Sequence, residues 1–362
     1  MFLALRDLRF SKGRFALMGG VVALITVLLV MLSGLTAGLA HQSTSAIGAL
    51  PAGRVVFGAP QGTAAKASYA DSEVTPEQAA AWSRDAGVTA VPLGISQGKL
   101  RTGTAASTPD GGRTTNAAFF GSDGVGGTAL APVTPGKGEI VLSESLASAL
   151  NLSDGGVLNS NGTDLRVKAV VPDQWYSHLA VAWVGLGDWQ QMNRGREATV
   201  LVAPGADATA ADRADSRNGT VSAERTASFQ ALESFKSENG SLLLIQGFLY
   251  GISALVVGAF LSIWTVQRTR DIAVLKALGA TQGYVFKDAL AQALIVLLSG
   301  TVLGAVIGGL GGWFAGQAAP FVLGPLTIAG PVVGIVLLGL AGSALAVRKV
   351  TRVDPLLALG GS

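Results

Sequence analysis

Few side chains among these 362 residues could carry out covalent chemistry. There is no cysteine, which removes disulfides, thiolate metal sites, iron–sulfur clusters and cysteine nucleophiles. Histidine occurs only as His41 and His178, which leaves very little material for a His-rich metal site or a Ser-His-Asp triad. The chain contains no GxSxG, HExxH or DxDxDG pattern. It also lacks GxxxxGK[ST]. The nearest stretch, TPGKGE, has neither the hydroxyl residue nor the upstream glycine, so the chain cannot cradle nucleotide phosphates itself. The densest aromatic group is Trp175, Tyr176, His178, Trp183 and Trp189. In alternating strands such residues read as core, with a ligand surface as the competing reading. One segment offers recognition rather than catalysis. In QRTRDIAVLKALGAT, residues 267–281, apolar Ile272, Leu275 and Leu278 share one side of a short predicted helix. Its basic residues face the other way, and Gly279 stands where a C-cap glycine belongs. Such a helix can slot into a groove on a soluble partner and transmit motion. An ordinary basic connecting loop is the plainer alternative.

The elements that would position this segment are membrane helices. Charged residues form 14% of the chain, against roughly 25% in an average soluble protein. Hydrophobic residues form 49% and mean hydropathy is +0.47, which excludes a single soluble domain and a disordered chain. Four uncharged runs, residues 15–40, 242–266, 289–313 and 326–347, are each long enough to cross about 30 Å of hydrocarbon. The first could instead be the apolar region of a signal peptide, but it exceeds the usual length of about 7–15 residues.

Charge sets the orientation. The segments before the first run, between the second and third, and after the fourth hold 11 basic and 4 acidic residues. The stretch 41–241 holds 15 basic and 19 acidic residues, and the turn 314–325 holds none. The positive-inside rule then places both termini and the loop 267–288 in the cytoplasm, with 41–241 and 314–325 outside a plasma membrane. Residues 1–14 set Leu5 and Leu8 against Arg6, Arg9 and Lys12, an interfacial amphipathic helix or simply a positive topology signal. Residues 348–362 form a cytoplasmic tail.

The stretch 41–241 reads as an α+β domain. Strand-like GRVVFG precedes a helix with Thr75 as N-cap and Pro76 at its first position. EIVLS reads as a strand, 144–150 as a helix, and LRVKAVVPD, VAWVGLGDWQQM and EATVLVAP as further strands. The spacing of Phe229, Leu232 and Phe235 predicts a helical stalk running on into the second span. The fold class is therefore an α-helical membrane protein with four transmembrane helices and an α+β extracellular domain inserted between helices 1 and 2.

The segment QRTRDIAVLKALGAT closely resembles the loop after the second span in permeases of the FtsX/MacB type, four-span subunits of ATP-binding-cassette systems. Their pattern is Arg-x-Arg-Glu-Ile and then Leu-(Lys/Arg)-Ala-(Leu/Ile)-Gly-Ala. This chain differs by Asp271 for Glu and Ala273 for Gly. RKVTRVDPLLALGG and EIVLSESLASALNLSDGG resemble the family's tail and external domain. The resemblance implies a homodimer that docks two copies of an ABC ATPase subunit, which brings ATP and Mg. Arg268, Arg270, Asp271, Leu275, Lys276, Leu278 and Gly279 would carry the coupling. It implies no enzymatic activity in this chain, no intrinsic cofactor or metal, and no nucleic-acid partner.

Within that family the chain most resembles the Hrt-type haem-exporter permeases, which implies haem as the transported ligand. Met31 and His41 on the first span, with Gln246 and Tyr250 on the second, then become candidate contacts, since His, Met and Tyr can all ligate haem iron. Gly34, Gly38, Gly247 and Gly251 would leave space for a planar ring, although small residues also pack helices. Export of another hydrophobic substrate, such as an antimicrobial peptide or lipid, is a second reading. Mechanical activation of a cell-wall hydrolase is a third.

Overall fold

The computed structural model describes residues 12–59, 63–106, 112–267 and 280–350. In chain order it holds helix α1 (Lys12–Ala49), strand β1 (Arg54–Phe57), α2 (Pro76–Ala86), β2 (Val91–Thr102), β3 (Thr114–Gly121) and β4 (Glu139–Ser143). Next come α3 (Glu144–Leu150), β5 (Val157–Ser160), β6 (Thr163–Val171), β7 (Trp175–Tyr176) and β8 (Leu179–Val184). They are followed by α4 (Leu186–Met192), β9 (Val200–Ala203), α5 (Ala208–Asn218), β10 (Val221–Glu224) and a 3-10 turn (Ala227–Ala231). Three long helices complete the order: α6 (Glu233–Gln267), α7 (Gln282–Ala315) and α8 (Pro325–Val350). The chain divides into a helical unit, residues 1–39 with 240–362, and a mixed domain, residues 40–239.

In the helical unit, α1, α6, α7 and α8 are each long and apolar enough to cross a membrane. Their shared core includes Met18, Val22, Leu29, Val257, Leu297 and Ile335. Small residues bring the backbones together, as expected where lipid gives no hydrophobic drive between helices. Gly300, Gly304 and Gly308, one per turn of α7, lie against α1 from Gly19 to Val30. Gly342 of α8 approaches the Ala254 carbonyl of α6, and Gly339 lies under Leu297 of α7.

In the domain, the strands run in the order β10-β1-β9-β2-β3-β8-β4-β6-β5. β5 also pairs with β2, so six of these strands form a closed circuit of ladders. The pairs β3–β8 and β4–β6 are parallel and the other ladders antiparallel. One core gathers Val55, Phe57, Leu93, Phe120 and Trp183, and a second gathers Leu100, Leu142, Leu158 and Trp189. α2 and α5 cover Val56 and Leu201 in a third cluster, where Trp82 Nε1 donates to Asp215 at 2.8 Å. Helix α2 starts as its sequence predicts. The Thr75 hydroxyl accepts from Gln78 N–H, the Gln78 side chain accepts from Thr75 N–H, and Pro76 follows the cap.

Three expectations change. Helix α1 passes the predicted span end at residue 40 and runs to Ala49, where Ala46 and Ile47 are buried in the domain core. GLGDWQQM is not strand but the helix α4. Leu186, Trp189 and Met192 recur every three residues and turn one face inward, a spacing a strand cannot bury. The stalk is not one helix either. Leu232 is extended (φ −90°, ψ 107°), so Phe229 belongs to the 3-10 turn and Phe235 to the start of α6. The two rings still meet edge-on at 6.1 Å, which accounts for their helix-like spacing.

Candidate functional site

The predicted coupling residues Arg268, Arg270, Asp271, Leu275, Lys276, Leu278 and Gly279 lie outside the described residues. So do most of the predicted amphipathic segment 1–14 and residues 351–362. The candidate haem residues are described. Met31, Gly34, Gly38, Gln246 and Tyr250 belong to the helical unit and His41 to the domain.

On α1, a Cβ at Gly34 would meet the Phe321 ring, and one at Gly38 would meet the Pro320 carbonyl. Val322 N–H donates to the Gly34 carbonyl at 3.1 Å. The room these glycines leave is therefore taken by residues 320–322 of the same chain, and a planar ring would have to displace them. The Met31 sulfur lies beside Gly311 of α7. On α6, Gln246 Nε2 donates to Thr36 Oγ1 at 3.1 Å, a polar tie between the first two spans. The half-buried Tyr250 ring packs beside Gly334 of α8. Gly247 and Gly251 have open space beside them. His41 is exposed. Thr36, Pro320 and Phe321 were not among the predicted residues. A Pro-Phe pair in a charge-free turn carries no signal that it will fold back on a helix.

The aromatic group divides. Trp183 and Trp189 are fully buried, and both indole N–H groups are satisfied, by Gln174 Oε1 at 3.1 Å and Ser96 Oγ at 2.9 Å. His178 is not in a strand. With Ser177 it forms the two-residue turn between β7 and β8, and both residues are left-handed, at φ 64° and 49°. Non-glycine residues rarely adopt that conformation, and here it is over-determined by its bonds. Ser177 and His178 N–H donate to the Ser43 and Gln42 carbonyls of α1, both at 3.1 Å. His178 Nε2 lies 2.9 Å from Glu238 Oε2 on α6 and 3.2 Å from Ser43 Oγ. The Ser177 hydroxyl meets the Ser234 hydroxyl at 3.2 Å. One hairpin thus holds residues 42–43 of α1 and residues 234–238 of α6. Sequence reasoning expected a hydrogen-bonded structural histidine here and did not find Glu238.

Beside that hairpin lies a cleft of about 350 Å³, lined by β2, the β7–β8 turn, Tyr69, Arg196 and residues 231–234. Tyr69 and Tyr176 meet edge-on at 6.0 Å, and burial pushes both phenols far above their ordinary value. Both stay protonated at any physiological pH. No group of three or more His, Asp or Glu residues capable of holding a metal occurs among the described residues.

Comparison with known proteins finds a family match within the helical unit. Residues 243–355 match the FtsX-like permease C-terminal family. A protein of Staphylococcus epidermidis named as hemin transport system permease protein HrtB is 25% identical over 224 residues, covering 62% of this chain and 63% of that protein. The chain thus spans less than two thirds of the length of that relative. An uncharacterized ABC transporter permease of Mycobacterium tuberculosis is 24% identical over 367 residues, covering 100% of this chain and 99% of the relative. Among solved structures, the extracellular domain of the noncanonic ABC-type transporter YknZ aligns with 46% of this chain and 95% of its own at 15% identity. Its TM-score of 0.34 is too low to carry an argument. Permeases of this kind are non-catalytic, and ATP hydrolysis resides in a separate subunit. Residues 243–355 are thus similar to the FtsX-like permease C-terminal family, and the chain is similar to proteins named as ABC transporter permeases.

Proposed function

We propose that this chain is the membrane permease subunit of an ABC efflux system that exports haem from the outer leaflet. The match of residues 243–355 to the FtsX-like permease family carries the permease part of this reading. The likeness to a permease named for hemin transport supports the cargo. The chain works as a homodimer in the plasma membrane with both termini cytoplasmic, and residues 41–241 form an extracellular domain inserted between the first two spans. Each protomer docks one ATPase subunit through the loop 267–288. There Leu275 and Leu278 enter a groove on the partner, and Arg268, Arg270, Asp271, Lys276 and Gly279 shape the contact. ATP and Mg reach the system through that partner. Haem lies at outer-leaflet depth among Met31, Gly34, Gly38, His41, Gln246 and Tyr250. A cargo other than a planar ring, such as a peptide or lipid, is favoured by one observation: Pro320 and Phe321 already fill the space beside Gly34 and Gly38.

The test is a haem titration of the purified chain with its ATPase, read by visible absorbance and ATP turnover. Met31→Ala, His41→Ala and Tyr250→Phe variants run in parallel. A saturable Soret shift, lost in at least one variant and coupled to faster ATP hydrolysis, is expected. Leu275→Glu should keep the shift and lose the stimulation. No shift and no stimulation would overturn haem as cargo and leave the permease domain standing.

A further inference from the structure

The cleft beside the β7–β8 turn gathers a phenol, a guanidinium and a carboxylate in one lining. Tyr176 is 6% exposed, its ring held edge-on by Tyr69 at 6.0 Å and Phe120 at 5.5 Å. Its hydroxyl makes no hydrogen bond among the described residues, whereas the neighbouring Tyr69 hydroxyl meets Ser228 Oγ at 2.9 Å. The ring is buried while the phenol oxygen opens into the cavity, where it is free to bond a ligand. Arg196 lines the same cleft and spends its guanidinium on one long bond, Nη2 to the Ser72 carbonyl at 3.4 Å. Glu233, at the first turn of α6, lines it too. Among the described residues neither charge has an ion-pair partner, and the two do not pair with each other. Arg196 and Glu233 thus line one cleft without forming a salt bridge, and Glu233 also feels the charge of Lys66. Ile95 and Leu232 add apolar wall to the same cleft. A volume near 350 Å³ falls at the small end of ligand pockets, which run from about 300 to 1,000 Å³.

We propose that this cleft binds a small zwitterion of amino-acid to dipeptide size, with its carboxylate on Arg196, its ammonium toward Glu233 and its apolar side chain against Ile95 and Leu232. A backbone carbonyl or carboxylate oxygen of the ligand accepts from the Tyr176 hydroxyl. This is a site for a water-soluble ligand, distinct in chemistry from the membrane cargo and independent of what that cargo is. It touches Glu233 and Ser234, so occupancy is read directly by the first turn of α6.

The experiment is isothermal titration calorimetry on the full chain in lipid nanodiscs. The probes are L-leucine and L-alanyl-L-leucine, with leucinamide lacking the carboxylate and 4-methylpentanoate lacking the ammonium. Saturable binding of leucine or of the dipeptide is expected, with both truncated probes at least about tenfold weaker, the loss of one charge-assisted contact. Arg196→Met should abolish the preference for a carboxylate. Tyr176→Phe, which deletes a single oxygen, should weaken binding several-fold without lowering the melting temperature. Absence of saturable heat for both zwitterions up to about 10 mM, the weak limit of specific affinity, would overturn the proposal. Binding equal for leucine and leucinamide, or unchanged in Arg196→Met, would overturn it equally.

Discussion

The indole of Trp189 rests on Gly94 and Gly121 of the domain, whereas Gly300, Gly304 and Gly308 of α7 rest on the main chain and small side chains of α1. In the domain, glycine clears space for a bulky side chain leaving water, and its benefit is the apolar area that side chain buries. Among the long helices, glycine clears space for a second backbone. There is no water to escape from in hydrocarbon, so close van der Waals approach does the joining. The two units thus respond in opposite senses to changes of size: the domain is vulnerable to losing bulk, the helical unit to gaining it.

The largest expected effect comes from removing bulk in the domain. Trp189→Ala opens a cavity over two glycines in a fully buried cluster and should destabilise the domain by about 3–5 kcal/mol in chemical unfolding followed by tryptophan fluorescence. A loss under about 1 kcal/mol would show that the indole is not what holds these strands, given the usual range. Adding bulk to the helices comes next. Gly304→Leu drives a side chain into Ala23 and Thr26 of α1 and should cost about 1–3 kcal/mol, read as a lower melting temperature in nanodiscs. Gly247→Leu, on a flank with nothing within 4 Å, should be close to neutral. If both helix variants melted alike, glycine on α7 would be composition rather than contact.

The smallest expected effect concerns charge. Glu139 is held below its ordinary value of 4.5, first by Lys168, whose Nζ lies 2.8 Å away, and then by the Gly136 N–H. A depressed carboxylate stabilises the fold above its unfolded pKa, and that contribution fades as pH falls through the folded value. Domain stability should therefore drop below about pH 4.5, and Glu139→Gln, which mimics the protonated carboxyl, should lose a little stability at neutral pH, match the parent in acid and so flatten that limb. An acid limb identical in both proteins would remove this pair from the domain's stability.

The parts legible in the sequence were those written in local code. Four runs free of charge became four long helices, and Thr75-Pro76 with Gln78 became a capped helix start. The parts that were missed depend on partners distant in sequence. Leu186, Trp189 and Met192 carry a period of three that was passed over because VAWV before them alternates as a strand. The break at Leu232 was hidden because Phe229 and Phe235 still converge from two different elements. The cleft groups Tyr176, Arg196 and Glu233 lie about 20 and then nearly 40 residues apart, and only the strand order brings them together. Pro320 and Phe321 meet Gly34 and Gly38 across almost 300 residues, a contact no periodicity announces.

The hairpin that holds α1 and α6 does part of its work through the N–H groups of Ser177 and His178 and the carbonyls of Gln42 and Ser43. Every residue has a main-chain carbonyl, and every residue but proline a main-chain N–H. Over generations of drift, the letters at these four positions can change while the attachment to residues 42 and 43 persists, as long as the turn keeps both residues left-handed. For the hold on residues 42 and 43, what selection can see at 177 and 178 is a backbone shape, whereas the hold on Ser234 and Glu238 needs the two side chains. Asparagine, aspartate or glycine would preserve the shape, and a β-branched residue would not. An alignment of distant relatives would then show a column of unlike residues over a feature none of them has lost.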